Sequence, residues 1–557
     1  MTHTLLRKGN SFKLFILTVF IIFSGSVKAQ SFDQVMSKGK IRGNFQLDMQ
    51  YYQEDTIIGA EEVPERILSN GFLNLVYTNG GFSAGFRYES YMNALLGFPE
   101  GYQGNGIPYR YASFDQKQFS ITVGNFYEQF GNGLAFRTYE ERGLGYDNAM
   151  DGIRIKYRPL KGVEITGLTG KQRLFFDYGE GIVRGLDADV YMNDLIPRLK
   201  ESKTRILLGA SAVSKYQADQ DSRFVLPENV ALFGGRANIT RGRFNLNTEY
   251  AYKVNDPSAD NNFIYRPGEA LFIQTSYSQK GLGIVLAAKR NDNMSFRSDR
   301  GESLQNLLIN FIPALTKQHT YNLLATLYPY ATQLNGEMAF QADLIYKFKK
   351  GTLLGGKRGM DIQLNYSTAN NLDTTRLNDE DGKRLGYEAD YFDVGEVYFK
   401  DFNVMLTKKF SSKVKGRFTY ANLVYDQDVI EGKPGAPKIY ANIGIADVTY
   451  KFDIRNSIRT EAQFLITEQD QGDWATLLIE YSYSPHWFVA FLDQYNYGNP
   501  DPSKRVHYYN GSFGYNDKGN RITLSYGRQR AGIFCVGGVC RVVPASSGVF
   551  LSITSSF

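Results

Sequence analysis

The stretch that decides the fold is Ser547–Phe557, which reads SGVFLSITSSF. Its residues form two alternating rows: a mainly apolar row of Val549, Leu551, Ile553, Ser555 and Phe557, and a mainly polar row of Phe550, Ser552, Thr554 and Ser556. Successive side chains of a β-strand point to opposite faces. The stretch therefore predicts a strand with one apolar face and one polar face.

Such a strand is typical of the last strand of a bacterial outer-membrane β-barrel, which pairs with the first strand. We expect the aromatic residue at its end, Phe557, to be the signal that the barrel-assembly machinery reads. An edge strand of a soluble sheet shows the same alternation. The rest of the chain has to distinguish the two interpretations.

The same alternation recurs along the chain, most clearly in 82–89, 119–124 and 153–158. We expect the apolar rows to face lipid, namely Phe82, Ala84, Phe86, Ile121, Val123, Ile153, Ile155, Val549, Leu551 and Ile553. Cations against lipid are costly, so the row of Arg154, Lys156 and Arg158 should face water inside the barrel.

The connections between these segments are alternately short and long, the long ones including 131–149, 173–184 and 370–394. Short periplasmic turns and long external loops are the signature of a transmembrane barrel, and a soluble sandwich or propeller does not need this asymmetry. We predict an all-β, antiparallel up-and-down barrel of about 26 strands, within a range of roughly 22 to 26, with both termini in the periplasm.

The segment 303–312 is the least certain of these strands, because its apolar residues also fit a helical stripe. As a strand it makes 313–318 a periplasmic turn, followed by a strand at 319–328. As a helix it removes one strand, and an even number then requires the loss of another, which gives about 24.

Residues 1–29 are predicted to be a signal peptide. Basic Arg7, Lys8 and Lys13 precede an apolar run, and Val27-Lys28-Ala29 fits a signal-peptidase site. We expect 30–39 to be a short periplasmic segment and 40–557 to be one barrel in the bacterial outer membrane. Removing the four basic residues of 1–29 from a formal net charge of +6 leaves +2, which gives no electrostatic case for nucleic acid.

Three stretches resemble a family of large outer-membrane barrels of Bacteroidota whose function is uncharacterised. They are 124–145 (GNFYEQFGNGLAFRTYEERGLG), 321–337 (YNLLATLYPYATQLNGE) and 532–544 (GIFCVGGVCRVVP). The resemblance covers the whole chain after the signal peptide. It implies the barrel fold and the outer-membrane location, and it implies no catalytic residues.

Neither a metal site nor a catalytic site is expected. The histidines after the signal, His319, His486 and His507, lie on separate segments, without the ligand spacing of a zinc site. His319, placed at a periplasmic turn, is far from where a serine–histidine lipase would meet outer-leaflet lipid. We therefore predict no enzyme activity and no cofactor. Trp474 and Trp487 are expected to be interfacial anchors.

The two cysteines of the chain flank a hairpin tip, Cys535-Val536-Gly537-Gly538-Val539-Cys540. Two glycines suit a two-residue turn. Cys535 and Cys540 then form a non-hydrogen-bonded pair within disulfide range. In an oxidising compartment we predict a disulfide that stiffens an external loop tip.

A barrel of this width needs something to fill its lumen. The best candidate is 131–149, in which Gly131-Asn132-Gly133 permits a bend and 134–142 reads as a helical turn ended by Gly143. Charges on this loop would face the cations of the wall across a constriction. The alternative is a solvated external loop whose charges pair with one another. The candidate residues are Arg137, Glu140, Glu141, Arg142, Arg154, Lys156 and Arg158.

Two functions remain open at this point. The first is a porin-like channel for small polar solutes, with its lumen narrowed by infolded loops. The second is a non-catalytic barrel subunit or scaffold of a larger outer-membrane assembly. The expected partners are outer-membrane lipid, the barrel-assembly machinery and, for the second function, another outer-membrane protein.

Overall fold

The computed structural model describes residues 39–379, 383–537 and 539–557, and its main feature is one antiparallel sheet of 24 strands. The predicted signal peptide, 1–29, and nearly all of the predicted segment 30–39 lie outside the described residues. Alternation of apolar and polar side chains is what makes these segments strands of a two-faced sheet.

The first twelve strands, β1 to β12, are Lys40–Tyr52, Ile67–Asn79, Phe82–Met92, Gly104–Asp115, Phe119–Phe126, Met150–Tyr157, Val163–Leu174, Asp177–Tyr191, Thr204–Tyr216, Asn229–Arg241, Phe244–Lys253 and Gly268–Gln279. The other twelve, β13 to β24, are Leu282–Asp292, Gly336–Phe348, Met360–Arg376, Tyr387–Lys409, Val414–Asp426, Lys438–Lys451, Asn456–Ile466, Trp474–Tyr483, Trp487–Tyr495, His507–Asp517, Asn520–Gln529 and Ser546–Ser556.

The sheet closes on itself through β24, the strand from which the fold was predicted. It pairs with β23 on one side and with β1 on the other, where the register runs from Asn44 opposite Ser556 to Tyr52 opposite Gly548. Phe557 continues this pairing through backbone hydrogen bonds with Gly43. The molecule is therefore a closed barrel, and a barrel has no open sheet edge.

The strand number is 24 rather than about 26, because the predicted strands 303–312 and 319–328 are wrong. Residues 303–312 form turns, neither strand nor helix, and 319–328 contains only the short helix Asn322–Thr326. Both segments lie inside the barrel. Their apolar residues pack in the lumen rather than on a strand face, which is why a strand pattern was misleading.

The two ends of the barrel differ in their connections. At the short-turn end lie both ends of the sheet, Lys40 and Ser556, and tight turns such as 80–81, 242–243 and 518–519. At the long-loop end, 127–149 and 293–335 are the longest connections. Two predicted loops are wrong: 173–184 and 370–394 are mostly extensions of β7, β8, β15 and β16.

The outer face of the barrel is apolar in the predicted register. Exposed fractions are 38% for Phe82, 50% for Val123 and 43% for Ile153, against 6% for Ser120 and 3% for Thr122. Outward side chains on the other strands are also large and apolar, including Leu286, Phe340, Phe418, Phe464, Leu477, Phe491 and Leu524. A register shifted by one residue would bury these side chains and expose the inner row.

Helices are few and short. The α-helices are Met192–Leu195, Asn322–Thr326 and Gln427–Glu431, and the 3₁₀ helices are Arg142–Leu144, Pro197–Leu199, Ala259–Asn261 and Pro502–Lys504. Within 39–379, 383–537 and 539–557, no helix is long and apolar enough to span a membrane.

Candidate functional site in the barrel lumen

Three connections from the long-loop end fold into the lumen. We call them loop A (127–149), loop B (293–335) and loop C (530–545). Loop A carries two pairs of two-residue strands, loop B carries the helix Asn322–Thr326, and loop C carries the hairpin Gly532–Val536 with Val539–Val543. Together they occupy most of the inside of the barrel.

Loop A crosses the lumen from one wall to the other. It bends at Gly131, with φ of 53°, and at Gly133, with φ of 101°, where other residues would be strained. The Asn132 Nδ2 donates to the Glu249 carboxylate of β11 at 2.9 Å. Farther along, the Arg142 Nη1 donates to the Gln46 side-chain oxygen of β1 at 3.3 Å.

The predicted helical turn in 134–142 is wrong. Residues 136–137 and 140–141 belong to two short strand pairs, and the helical turn is the 3₁₀ helix Arg142–Leu144, which ends at Gly145 rather than Gly143. Leu134, Ala135 and Phe136 are buried in the barrel core. Their burial favours the packed, extended conformation over a solvated helix.

The predicted cations of the wall point inward, but they do not face Glu140 or Glu141. The Glu128 carboxylate of loop A lies 3.1 Å from the Arg154 Nη1 and 2.8 Å from the Lys156 Nζ. The Arg158 Nε lies 2.7 Å from Glu164 on the neighbouring strand. These charges are therefore neutralised by local partners, and the predicted field across a constriction between the two groups is wrong.

The predicted charges of loop A are also paired close by. The Glu140 carboxylate contacts the Arg142 Nε at 2.6 Å and the Arg87 Nη1 of β3 at 2.8 Å. Glu141 accepts from the Gly143 backbone N–H at 3.2 Å. The Arg137 guanidinium lies between two aromatic rings of the lumen, 4.4 Å from the centre of Tyr139 and 4.0 Å from that of Phe311.

A buried ion-pair network, missed by the sequence analysis, anchors loop A to the wall. Arg173 of β7 donates to Glu89 of β3 at 2.7 Å and to Asp147 of loop A at 2.6 Å. Arg87 contacts both carboxylates as well. Each of these four side chains is at least 96% buried. The inward position of these residues could be deduced from the strand pattern, but their partners could not.

Loop B is fixed to the opposite wall by similar contacts. The Lys289 Nζ of β13 lies 2.7 Å from Glu337 of β14 and donates to the Pro313 carbonyl of loop B at 2.6 Å. His319 contacts Asp401 of β16 at 2.6 Å. The predicted periplasmic turn at 313–318 is therefore wrong, because this segment lies inside the barrel.

An apolar core fills the space between loops A and B and the wall. Every strand from β5 to β20 contributes at least one buried side chain to it, and the loops add residues such as Phe130, Phe136, Met294, Phe296 and Ile309. On many of these strands the inward residue is alanine, as at 251, 270, 339, 369, 421 and 441. Small side chains let the loops approach the wall closely. We call this region the packed side.

The wall formed by β21–β24 and β1 is different, and we call it the lane. Many of its inward side chains are polar and small, namely Gln46, Asp48, Gln50, Asn510, Ser512, Thr523, Ser525, Ser552 and Thr554, and larger ones such as Leu492, Tyr508 and Phe550 lie among them. Two adjoining cavities run along it. Cavity 1, of about 380 Å³, is lined by residues including Asp48, Tyr52 and Arg142. Cavity 2, of about 480 Å³, is lined by residues including Gln494, Tyr508 and Arg530.

The two cavities share Asn510, Gln529 and Arg541 in their linings, so they are neighbours. Cavity 1 also shares Leu96, Phe98 and other residues with a wider cavity of about 730 Å³ at the long-loop end, which we call the vestibule. Toward the short-turn end, the inward side chain of Asn44 is exposed. The vestibule, cavity 1 and cavity 2 therefore form a series of adjoining spaces along the lane.

Loop C covers the lane. Its cysteines form the predicted disulfide, Cys535–Cys540, with Cα atoms 4.1 Å apart. The hairpin tip was predicted to be an external loop tip, and this prediction is wrong. The tip lies against loop B, with the Cys540 Sγ 3.9 Å from the Tyr330 carbonyl oxygen. The Arg541 Nε donates to the Gly143 carbonyl of loop A at 2.9 Å. Loop C thus contacts both other loops.

The two tryptophans have different places. Trp487 lies on the outer face near the short-turn end, 42% exposed, with Tyr515 at 4.4 Å between ring centres, as expected for an interfacial anchor. Trp474 is fully buried and faces the lumen beside Tyr508 and Arg530, so its prediction as an anchor is wrong. In the described part of the chain, no group of three or more His, Cys, Asp or Glu side chains could hold a metal ion.

The sequence model of a protein family matches residues 10–557 of the chain. This family is DUF6029, a family of unknown function. The chain belongs to this family. The DUF6029 assignment agrees with the predicted resemblance to an uncharacterised family, and the origin in Bacteroidota stays a prediction. No curated protein sequence matches the chain.

Solved outer-membrane proteins match this DUF6029 chain at low similarity. The ferric enterobactin receptor PfeA of Pseudomonas aeruginosa, as a mutant, has 10% identity and a TM-score of 0.40, covering 93% of this chain and 80% of its own. OccAB3 of Acinetobacter baumannii has 8% identity and a TM-score of 0.35, with coverage of 94% and 99%. The outer membrane protein opdK of P. aeruginosa has 12% identity and a TM-score of 0.34, with coverage of 80% and 97%. Scores this low carry no argument about function.

Proposed function

We propose that this protein is a non-enzymatic outer-membrane channel through which small polar solutes pass along the lane. The observation that carries the proposal is the contrast within one lumen. From β5 to β20 the inward side chains join an apolar core with loops A and B, whereas along β21–β24 and β1 the loops leave adjoining cavities whose linings combine polar side chains such as Gln46, Asp48 and Asn510 with apolar ones. Polar linings of this kind support passage of water and polar solutes.

The proposed location follows from the outer face. A closed sheet satisfies its own backbone hydrogen bonds, and large apolar side chains cover its outside, which is what a lipid bilayer requires of a barrel. By the usual asymmetry of such barrels, the short-turn end with both ends of the sheet faces the periplasm. Phe557, which is exposed at that end, is then available to the barrel-assembly machinery.

The proposed constriction lies where loop C and the 3₁₀ turn of loop A meet over the lane. Arg142 and Arg541 both line cavity 1, and Arg541 is shared with cavity 2. Of the residues that were predicted to form the constriction, Arg142 is the one that lines this path. Arg154, Lys156 and Arg158 stand on the far part of the wall, beside β5 and β7.

A second function is favoured by one specific observation. Loops A, B and C seal so much of the lumen that the protein also fits a non-catalytic barrel subunit of a larger outer-membrane assembly. In that case no solute would pass through the lane, and the long-loop end would bind the partner protein. Both functions need the same fold, so only a functional measurement separates them.

Planar-bilayer recording of the purified full chain tests the proposal. We expect stable single-channel steps with an ohmic current–voltage relation and a conductance far below that of an unobstructed barrel of this width. Silent protein that is folded, and that copurifies with a stoichiometric outer-membrane partner in mild detergent, would contradict the channel and support the subunit.

A further inference from the structure

We propose that cavity 2 of the lane binds a small organic carboxylate. Its role in passage through the lane rests on the proposed function, whereas the binding itself does not. The site consists of two arginines, Arg530 and Arg541, with neutral polar and apolar side chains around them.

Most inward cations of the barrel have a carboxylate partner. Arg87, Arg173, Lys289 and Arg236 each form ion pairs of 2.6 to 2.8 Å with Asp or Glu side chains. Within the described residues, neither Arg530 nor Arg541 forms an ion pair. A partly buried charge without a partner is costly. An anionic ligand would supply the missing counter-charge.

The two guanidinium groups are held in place by neutral contacts. The Arg530 Nη2 donates to the Thr326 Oγ1 at 2.6 Å, its Nη1 donates to the Ala531 carbonyl at 3.1 Å, and its guanidinium lies 5.7 Å from the ring centre of Trp474. Burial lowers the pKa of Arg530 to about 10, which leaves it charged at neutral pH. Its remaining donor capacity is available to a ligand.

Arg541 is fixed in a comparable way. Its Nε donates to the Gly143 carbonyl at 2.9 Å, and its guanidinium lies 4.7 Å from the ring centre of Phe98. Its Nη1 is buried and has no hydrogen-bond acceptor among the described residues. This Nη1 lies beside Gly97 of the vestibule, so a ligand in cavity 2 would meet the positive charge of Arg541 rather than this donor.

The rest of the lining excludes cations and accommodates an organic body. No Asp or Glu is found among the described residues that line cavity 2. Its third arginine, Arg528, is already neutralised by Asp55 at 2.6 Å. Asn322, Thr326, Gln494, Asn510 and Gln529 offer neutral hydrogen-bonding groups, and Leu492, Tyr508, Ile533, Phe534 and Val543 offer apolar contact.

The chemistry of the lining selects the class of ligand. Arginine forms two parallel hydrogen bonds with a planar carboxylate, which makes the pair specific as well as strong. The apolar side chains favour an organic anion over inorganic phosphate. A volume of about 480 Å³ lies within the usual range of small-molecule sites, about 300–1,000 Å³.

Tryptophan fluorescence can report binding without a membrane current. The chain has two tryptophans, and Trp487→Phe leaves Trp474, which lies beside Arg530, as the only one. The probe is cyclohexanecarboxylate, which does not absorb where tryptophan does, titrated into full-length protein in detergent micelles. Cyclohexanecarboxamide, cyclohexylmethylammonium and inorganic phosphate serve as the neutral, cationic and inorganic comparisons.

We expect a saturable fluorescence change with the carboxylate and none with the amide or the ammonium ion. Arg541→Gln and Arg530→Gln should each weaken binding about tenfold or more, because each removes a charge-assisted hydrogen bond. Arg205→Gln removes an exposed arginine from β9 and should leave binding unchanged.

Equal binding of carboxylate and amide, or unchanged binding in both arginine variants, would overturn the site. If Arg530→Gln fails to fold, Arg541→Gln alone decides. The proposed function can fail separately from the binding site. Carboxylate binding by a protein without conductance would contradict the channel and support the site. Conductance without carboxylate binding would contradict the site and support the channel.

Discussion

The packed side and the lane are parts of the same wall, and they differ in what their inward side chains contact. On the packed side, alanines and larger apolar residues of β5–β20 meet loops A and B in an apolar core. Along β21–β24 and β1, serines, amides and a few larger side chains such as Tyr508 and Phe550 face open cavities. A wide barrel can thus be filled by its own connections on one side and keep a polar passage on the other.

This comparison predicts that contacts on the packed side stabilise the loops and that solutes pass along the lane. The largest effect is expected for Arg173→Met, because it leaves two buried carboxylates, Glu89 and Asp147, with Arg87 as their one remaining cation. The loss should be about 3–5 kcal/mol in equilibrium unfolding of the detergent-solubilised protein. Arg142→Met at the edge of the lane should cost less than about 1 kcal/mol. Equal losses would contradict the comparison.

The second expectation compares two phenylalanines. Phe296→Ala empties a fully buried position of loop B on the packed side and should cost about 3–4 kcal/mol. Phe550→Ala in β24 removes a partly exposed ring that lines cavity 1, and it should cost less than about 1.5 kcal/mol. The same unfolding assay measures both. A larger loss for Phe550→Ala would reverse the assignment of the packed side.

The third expectation uses the outside of the barrel as a reference. Ile155→Arg places a cation on the outer face of β6 and should cost about 2–4 kcal/mol when the protein is folded into a bilayer. Gln50→Arg, on the lane, keeps its charge in water and should cost much less. Folding yield into vesicles, followed by gel mobility, measures the difference. Similar costs would mean that the outer face is not in lipid.

The smallest change in stability is expected for Asn510→Trp, which fills the lane where the two cavities adjoin. The free energy of unfolding should change by less than about 0.5 kcal/mol, because the site is not packed. Single-channel conductance should nevertheless fall. An unchanged conductance in a folded variant would place the passage elsewhere.

The fold could be predicted from local pattern to a large extent. In β24, β5 and β6 the alternation of side chains identified both the strands and their outer face, because one row is apolar and the other polar over the full length. In β18 the inward row Ile439, Ala441, Ile443 and Ile445 is also apolar. An inward row without polar residues was the available signal that something packs inside the barrel.

The contents of the lumen could be predicted only in part. The glycines at 131 and 133 indicated a bend, and the infolding of 131–149 followed from the width of the barrel. Loop B was misread as two strands, because Leu307 and Leu308 are buried by packing inside the barrel and not by pairing as strands. The pairing of Asp147 with Arg173, or of Lys289 with Glu337, depends on contacts between distant segments that no local pattern encodes.

Cysteine modification of the lane tests the central claim most directly. In a background in which Cys535 and Cys540 are replaced by serine, Asn510→Cys places a thiol between the two cavities, and Ser367→Cys places one on the fully buried packed side. A charged methanethiosulfonate reagent is added during single-channel recording. The account predicts a stepwise fall in conductance for Asn510→Cys and no change for Ser367→Cys. A response of Ser367→Cys with none from Asn510→Cys would contradict it.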